Sequence, residues 1–200
     1  SGFAYIYKKN TDSWDEIAIL SPSDGAEDDE FGYSVDIDGD YAIVGAYKNS
    51  DDGDFSGSAY IFYKDEGGTD NWGQVNKFTA DDAEARDFYG YSVAIQGNWA
   101  IVGAYGDDDV NNSSGAAYMY ENNGGWAFDS KIKIASPELD DRFGWAVDIY
   151  GDFAIIGTNK DLVYIFENDG GWTESQEIEA SDEDPDTHEY FGISVAIAED

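Results

Sequence analysis

Two short segments of this sequence have the composition of cation-binding loops. Proteins bind calcium with six to eight oxygen atoms from carboxylates, side-chain amides, backbone carbonyls and water. Because Asp and Asn also favour turns, solvated surface turns are the alternative interpretation. We expect at least one bound hard cation in the chain, with calcium as the expected ion. The candidate ligands are Asn49, Asp51, Asp52 and Asp54 in the first segment and Asp107, Asp108, Asp109 and Asn111 in the second.

A second group of acidic residues, also candidates for binding a metal, precedes each of four aromatic-Gly pairs. Its members are Asp24, Asp28 and Asp29; Asp81, Asp82 and Asp87; Asp140 and Asp141; and Asp182, Asp184 and Asp186. A shorter counterpart of the two calcium segments, at residues 159–161, carries Lys160, and we expect no metal there.

Nothing in the sequence marks a catalytic centre. The chain has no cysteine and one histidine, His188, which lies in an acidic stretch without a positioned serine. It also lacks the HExxH, GxSxG and Gly-rich phosphate-binding motifs. We therefore predict a protein that is not an enzyme. Tyr47, Tyr105 and Trp145 are candidates for a rim that binds carbohydrate or peptide.

Asn111 and Asn112 each begin an N-x-S sequence and are candidate glycosylation sites.

Composition excludes several classes of protein. The 200 residues carry 44 acidic and 10 basic side chains, a net charge of −34, yet 42% are hydrophobic and 16% aromatic. Disordered acidic chains lack such apolar content. The charge would repel nucleic acids and anionic lipids, and no apolar run reaches the roughly 20 residues that span a bilayer. Calcium, cationic partners or a saline habitat agree better with this charge.

An internal repeat dominates the sequence. Copies of one pattern occupy residues 31–46, 89–104, 143–157 and 191–197. A tryptophan sets a second register, since Trp14, Trp72 and Trp126 each precede the next aromatic-Gly pair by a constant interval. Within each copy, two apolar runs flank a Gly-containing turn such as Asp38-Gly39, which predicts a hairpin. The second run is apolar at every position and is expected to be buried on both faces.

The repeat predicts an all-β protein, a β-propeller built of four-stranded antiparallel blades. Tandem units of about 50 residues, each with four short strands, are typical of propeller blades, whereas the rival β-helix has shorter turns. We expect one array over 1–200: a partial repeat at 1–30, full repeats at 31–88, 89–142 and 143–190, and a partial repeat at 191–200.

The residues at the strand ends resemble those of a known family. Phe31-Gly32 before the first strand and Gly45-Ala46 after the second resemble the FG-GAP repeat of integrin alpha-chain propellers, and more closely the tandem FG-GAP-like repeats of bacterial secreted and surface proteins. The resemblance implies an extracellular β-propeller, often calcium-binding, that binds partners. In integrins the calcium loop joins strands one and two, but here that connection is a tight hairpin with Asp36 and Asp38 in one copy and Ala94 and Gln96 in the next.

The two ends of the chain match parts of one repeat. Residues 1–6 match a third strand and Asp200 follows a first strand, so the ends could join in one blade that lacks a second strand. We expect either a piece of a longer array or a gap filled by a strand from another molecule.

These observations favour a non-enzymatic extracellular or cell-surface module for adhesion or structural contacts with protein or glycan, with calcium as its expected cofactor. The alternatives are a self-assembling subunit of an extracellular filament or coat, and a docking domain of a secreted hydrolase.

Overall fold

The computed structural model describes residues 2–109, 112–181 and 190–199, and this part of the chain contains strands and turns but no helix. The strands are β1 (Ala4–Lys9), β2 (Trp14–Leu20), β3 (Val35–Asp38), β4 (Tyr41–Ala46), β5 (Ser58–Tyr63), β6 (Gly73–Phe78), β7 (Ser92–Gln96), β8 (Trp99–Ala104), β9 (Ala116–Asn122), β10 (Trp126–Ile132), β11 (Ala146–Tyr150), β12 (Phe153–Gly157), β13 (Leu162–Asn168) and β14 (Trp172–Glu179).

Consecutive strands pair into antiparallel sheets. Three of the sheets have four strands each, in chain order. We call them blade 1 (β3–β6), blade 2 (β7–β10) and blade 3 (β11–β14). β1 and β2 form a two-stranded sheet that packs against blade 1. The predicted all-β propeller of three full repeats and a split fourth is confirmed.

The core lies between sheets rather than within any one of them. Ile43 of β4 packs in the cluster shared with blade 2, whereas its neighbour Val44 packs in the cluster shared with the β1–β2 sheet. Successive strand residues point to opposite faces, so a strand covered on both faces must be apolar throughout. This explains the uninterrupted apolar runs of the second strands.

Glycines allow adjacent blades to approach closely. A Cβ on Gly45 of blade 1 would overlap the carbonyl oxygen of Gly90, and one on Gly103 of blade 2 would overlap that of Gly144. Gly90 also has a φ of +82°, in the left-handed region that favours glycine. The repeated aromatic-Gly and Gly-Ala pairs are therefore the points where one blade backbone lies against the next.

Polar side chains also join the first strands of neighbouring blades. The Val93 amide donates to Ser34 Oγ at 3.1 Å, and the Ile95 amide donates to Asp36 Oδ2 at 2.8 Å. Asp38 likewise accepts from Gly97 at 2.8 Å. Asp36 and Asp38, which lie before and at the hairpin between the first two strands of blade 1, thus accept backbone hydrogen bonds from the next blade.

The repeated tryptophans pack against the preceding blade. Trp126 of blade 2 meets Tyr41 of blade 1 edge to face, with ring centres 5.5 Å apart. Trp172 of blade 3 meets Trp99 of blade 2 in the same way at 5.3 Å. The tryptophan register therefore marks contacts between blades.

The two parts of the split fourth unit flank different blades. Gly32 of the segment that enters blade 1 packs against Phe3, whereas Gly157 of blade 3 packs against Gly192. The Ile197 amide donates to Asp148 Oδ2 at 2.8 Å, as expected for a first strand beside blade 3. Residues 190–199 are not paired in the β1–β2 sheet, so the predicted joining of the two ends in one sheet is not seen in the described residues.

Candidate functional site

The two kinds of acidic segment lie at one end of the blades. In an antiparallel sheet of consecutive strands, the connections after the second and fourth strands leave from the same end, and tight hairpins close the other. We call the first of these the loop end, and it comprises residues 21–34, 47–57, 79–91, 105–109, 112–115, 133–145 and 158–161.

In blade 2 the acidic side chains converge on one lysine of β10. The Nζ of Lys131 lies 2.7 Å from carboxylate oxygens of both Asp82 and Asp107. The same Nζ lies 2.5 Å from Asp109 and 5.2 Å from the ring centre of Tyr118. The Tyr118 hydroxyl lies 2.9 Å from carboxylate oxygens of both Asp82 and Asp107 and can donate its one hydrogen to either. With only 14% of its side chain exposed, Lys131 is largely enclosed by these partners.

The ion pairs keep this cluster ionised. Burial opposes the charge on Lys131, but the hydrogen bonds of its ammonium group to Asp107, Asp109 and Asp82 outweigh burial and raise its pKa. The contact with Lys131 lowers the pKa of Asp109. For Asp82, burial would raise the pKa, but the hydrogen bonds from Lys131 and Tyr118 lower it overall. Near neutral pH the lysine is thus a permanent cation among carboxylates.

Blade 1 repeats this arrangement. Lys77 of β6 contacts Asp24 at 2.6 Å and also pairs with Asp51. Its Nζ lies 5.5 Å from the ring centre of Tyr60, whose hydroxyl donates to Asp24 at 3.1 Å. Lys77 and Lys131 therefore link the two acidic groups that the sequence showed separately.

Blade 3 differs at these positions. Ser136 takes the place of Asp82 when counted back from the aromatic-Gly pair. Glu177 of β14 takes the place of Lys131 when counted forward from the tryptophan that leads the fourth strand. Glu177 lies opposite Tyr164 in the β13–β14 register. Burial, and then the hydrogen bond to Glu177, raise the pKa of Tyr164. Blade 3 therefore lacks both the ammonium group and the aspartate of the entering connection.

Three buried aspartates cap the connections that enter the blades. Asp29, Asp87 and Asp141 each accept a hydrogen bond from the backbone amide three residues earlier. These amides belong to Ala26, Glu84 and Glu138 and lie 2.7, 2.7 and 2.5 Å from the respective carboxylates. The aspartates before the aromatic-Gly pairs are thus partly structural.

The second partner of the capping aspartate differs between blades. The Asn49 amide donates to Asp29 at 3.4 Å, and the Lys160 ammonium lies 3.1 Å from Asp141. In blade 2 the corresponding residue is Asp107, which adds a negative charge instead of a donor. Burial, and then the charges of Asp107 and Asp108, raise the pKa of Asp87 to about 6.

The predicted calcium ligands are dispersed among different environments. Asn49 is buried and accepts a hydrogen bond from Ser58 at 2.9 Å. Asp51 pairs with Lys77, and Asp107 and Asp109 pair with Lys131. Asp52, Asp54 and Asp108 are exposed, and Asn111 lies outside the described residues.

The carboxylates at the lysines do not fit calcium as they stand. Calcium binds oxygen at about 2.3–2.6 Å, and the Lys131 ammonium lies 2.5–2.7 Å from the same three carboxylates. An ion bound there would meet a positive charge at close range. Calcium binding elsewhere on the acidic loops stays a prediction.

The loop end also carries a continuous aromatic surface. Tyr47, Tyr105 and Trp145, the predicted rim residues, are connected through Tyr91 and Tyr33. Ring centres are 4.5 Å apart for Tyr33–Tyr47, 4.9 Å for Tyr33–Tyr91, 4.6 Å for Tyr91–Tyr105 and 4.7 Å for Tyr105–Trp145. Phe88 and Phe55 extend the surface sideways. All seven rings keep some exposure, and together they define the aromatic surface.

Two basic groups lie on these rings. The Lys48 ammonium is 5.3 Å from the ring centre of Tyr47, and the Arg142 guanidinium is 5.7 Å from that of Trp145. The ring faces thus attract cations, as expected for electron-rich aromatic faces. Sequence reasoning missed Tyr33 and Tyr91, although each directly follows the glycine of an aromatic-Gly pair, as Trp145 does.

The remaining predicted residues add little to the site. His188 lies outside the described residues. Asn112 is exposed, and its carbonyl accepts from the Asp140 amide at 3.1 Å, so glycosylation there stays a prediction.

Fold and loop end together define a β-propeller module with a polar, aromatic end. A family model described as the FG-GAP repeat matches residues 14–62, 72–120 and 126–166. The chain belongs to the FG-GAP repeat family. Each matched segment starts at a tryptophan that leads a fourth strand and ends in the third strand of the next blade, so it spans a contact between sheets. A search of curated proteins finds none that matches this chain.

Membership in the family carries general expectations. FG-GAP repeat propellers are typically non-catalytic and typical of extracellular proteins. In the part of the chain that the structure describes, no helix is long and apolar enough to cross a membrane.

Proposed function

We propose that this protein is a non-enzymatic, extracellular or cell-surface propeller module that binds a protein or glycan partner through its aromatic surface. The observation that carries the proposal is the unbroken contact of seven partly exposed rings across the loop ends of adjacent blades. Exposed contiguous aromatic patches commonly mark interaction sites. Such a role agrees with adhesion or structural contacts at a cell surface.

Charge narrows the class of partner. The net charge of −34 disfavours anionic surfaces and favours neutral glycans or protein segments that carry Lys and Arg. Tyrosine and tryptophan rings stack on sugar rings and attract cations, and both kinds of residue are enriched where proteins bind partners.

Loss of two rings tests the proposal. We expect the Tyr105→Ala/Trp145→Ala double variant to lose at least tenfold in affinity for whichever probe the native protein binds, from arrays of neutral oligosaccharides and of Lys/Arg-rich peptides. Trp14→Ala is the matched control, since Trp14 is 65% exposed and lies in β2, away from the aromatic surface. Equal loss in both variants, or no binding of any probe by the native protein, would refute the proposal.

An apolar groove favours self-assembly as a second candidate function. Phe3, which precedes β1, and Tyr5 of β1 line a groove of about 410 Å³ together with Val35 and Ile37 of β3. All four side chains are at least half exposed. In the described residues β1 pairs only with β2, so its other edge is open to strand addition.

Sedimentation distinguishes this candidate. If strand donation joins molecules, the sedimentation coefficient should rise with protein concentration, and Val35→Lys should abolish the rise. A native protein that stays monomeric at every concentration excludes the candidate.

A further inference from the structure

The carboxylates of the charge cluster in blade 2 surround a cation, and that cation is the ammonium group of Lys131. One oxygen each of Asp82, Asp107 and Asp109 lies within 4.8 Å of the others. The Lys131 ammonium lies within 2.7 Å of all three carboxylates. The cluster thus joins the connection that enters blade 2, the loop between β8 and β9, and strand β10.

We propose that Lys131 replaces a divalent cation at the loop end of blade 2, so that removing its charge turns the Asp82–Asp107–Asp109 cluster into a calcium site. Lys77, with Asp24 and Asp51, fills the same role in blade 1. These blades would therefore hold their loops by an internal cation that chelators cannot remove.

The repeat itself provides the comparison that supports this inference. The cationic and anionic members are present together in blades 1 and 2. In blade 3 the lysine and the aspartate of the entering connection are both missing, since Ser136 stands where Asp82 would be and Glu177 stands where Lys131 would be. The lysine and the aspartate of the entering connection thus occur together or are missing together, as expected for groups that act as a unit.

Physical chemistry explains why the lysine excludes calcium in the native protein. Its side chain is tethered and mostly buried, so a competing ion must displace a partner present at high local concentration. Its ammonium also lies within 2.7 Å of all three carboxylates and so occupies the place that the ion would take. Without that charge, three close carboxylates would repel one another, and a hard cation would relieve the repulsion.

Calorimetry with calcium chloride at constant ionic strength tests the proposal. We expect Lys131→Met to bind calcium at least tenfold more tightly than the native protein, with a calcium-dependent rise in Tm. Lys133→Met is the matched control, because Lys133 contacts only Asp109 of this cluster, at 3.2 Å. The Lys131→Met/Asp109→Asn double variant should lose this gain in calcium affinity.

Two further results complete the test. A Lys131→Met protein that folds only with calcium supports the proposal, whereas one that folds without any gain in calcium affinity overturns it. In the native background, Asp109→Asn should leave the calcium isotherm unchanged. A weaker isotherm would show that calcium displaces the lysine, and the proposal would fall.

Discussion

Asp87 is a single side chain whose ionisation opposes folding. Its pKa is raised to about 6 by burial and by the charges of Asp107 and Asp108, above the ordinary value of 3.8. Between these pH values the folded state keeps a proton that the unfolded state loses. The protonated Asp87 side chain therefore makes its full contribution to the free energy of unfolding below about pH 4, and this contribution is lost as the pH rises through 6.

We predict that Asp87→Asn stabilises the protein at pH 7.5. An amide there can still accept from Glu84 and can donate to Asp107, as Asn49 donates to Asp29 in blade 1. The difference in free energy of unfolding should reach at most about 3 kcal/mol at pH 7.5 and shrink toward pH 4. Urea unfolding at several pH values measures this difference.

Asp29→Asn is the control for this prediction. Asp29 faces the Asn49 amide where Asp87 faces Asp107, so Asp29→Asn relieves no repulsion between carboxylates and should not stabilise. Equal stabilisation by both variants would mean that burial of any carboxylate, and not the Asp87–Asp107 pair, causes the effect.

The strands of neighbouring blades approach at glycine, and the approach tolerates no side chain. Gly45 at the end of β4 faces the carbonyl oxygen of Gly90, which leaves no room for a Cβ. We predict that Gly45→Ala lowers the free energy of unfolding by roughly 3 kcal/mol or more, because backbone rather than a flexible side chain must move.

Gly97→Ala separates this steric effect from backbone strain. Gly97 has a φ of +58°, but nothing lies within 4 Å of a Cβ there. It should cost only about 1–2 kcal/mol, the usual penalty for a left-handed alanine. Denaturant unfolding measures the loss in free energy of unfolding for both variants. Equal losses would argue against close contact between blades as the reason for the repeated glycine.

The whole molecule carries a charge of −34, and this self-repulsion should weaken the folded state at low salt. We predict that raising sodium chloride from about 20 mM to 1 M raises Tm by about 4–8 °C, the shift expected for a gain of about 2 kcal/mol. Potassium chloride should act equally, because screening depends on ionic strength. A fall in Tm in both salts would show that the lysine–aspartate pairs outweigh the general repulsion.

Much of the architecture was predictable because local rules set it. Alternation within strands, the Gly-containing hairpins and the repeated tryptophans predicted blades, and Ile43 and Val44 lie in two different cores as an uninterrupted apolar strand requires. Whether the chain ends join in one sheet was not predictable, since it depends on which strands come together in space, and in the described residues they do not pair.

The candidate site was predictable only in its parts. The acidic loops and three of the aromatic residues were visible as residue types, but their spacing said nothing about the lysines. Asp82 and Lys131 are 49 residues apart and come from a connection and a strand with separate patterns.

Sequence by itself determined the repeat, the strand order and the glycines between blades, because each depends on neighbours within one unit or on its copy. Only the tertiary structure decided that the carboxylates of two different loops surround an ammonium group and that rings from adjacent blades form one surface. The physical reason is that charge and ring contacts act through space over a few ångströms, and blade stacking sets those distances.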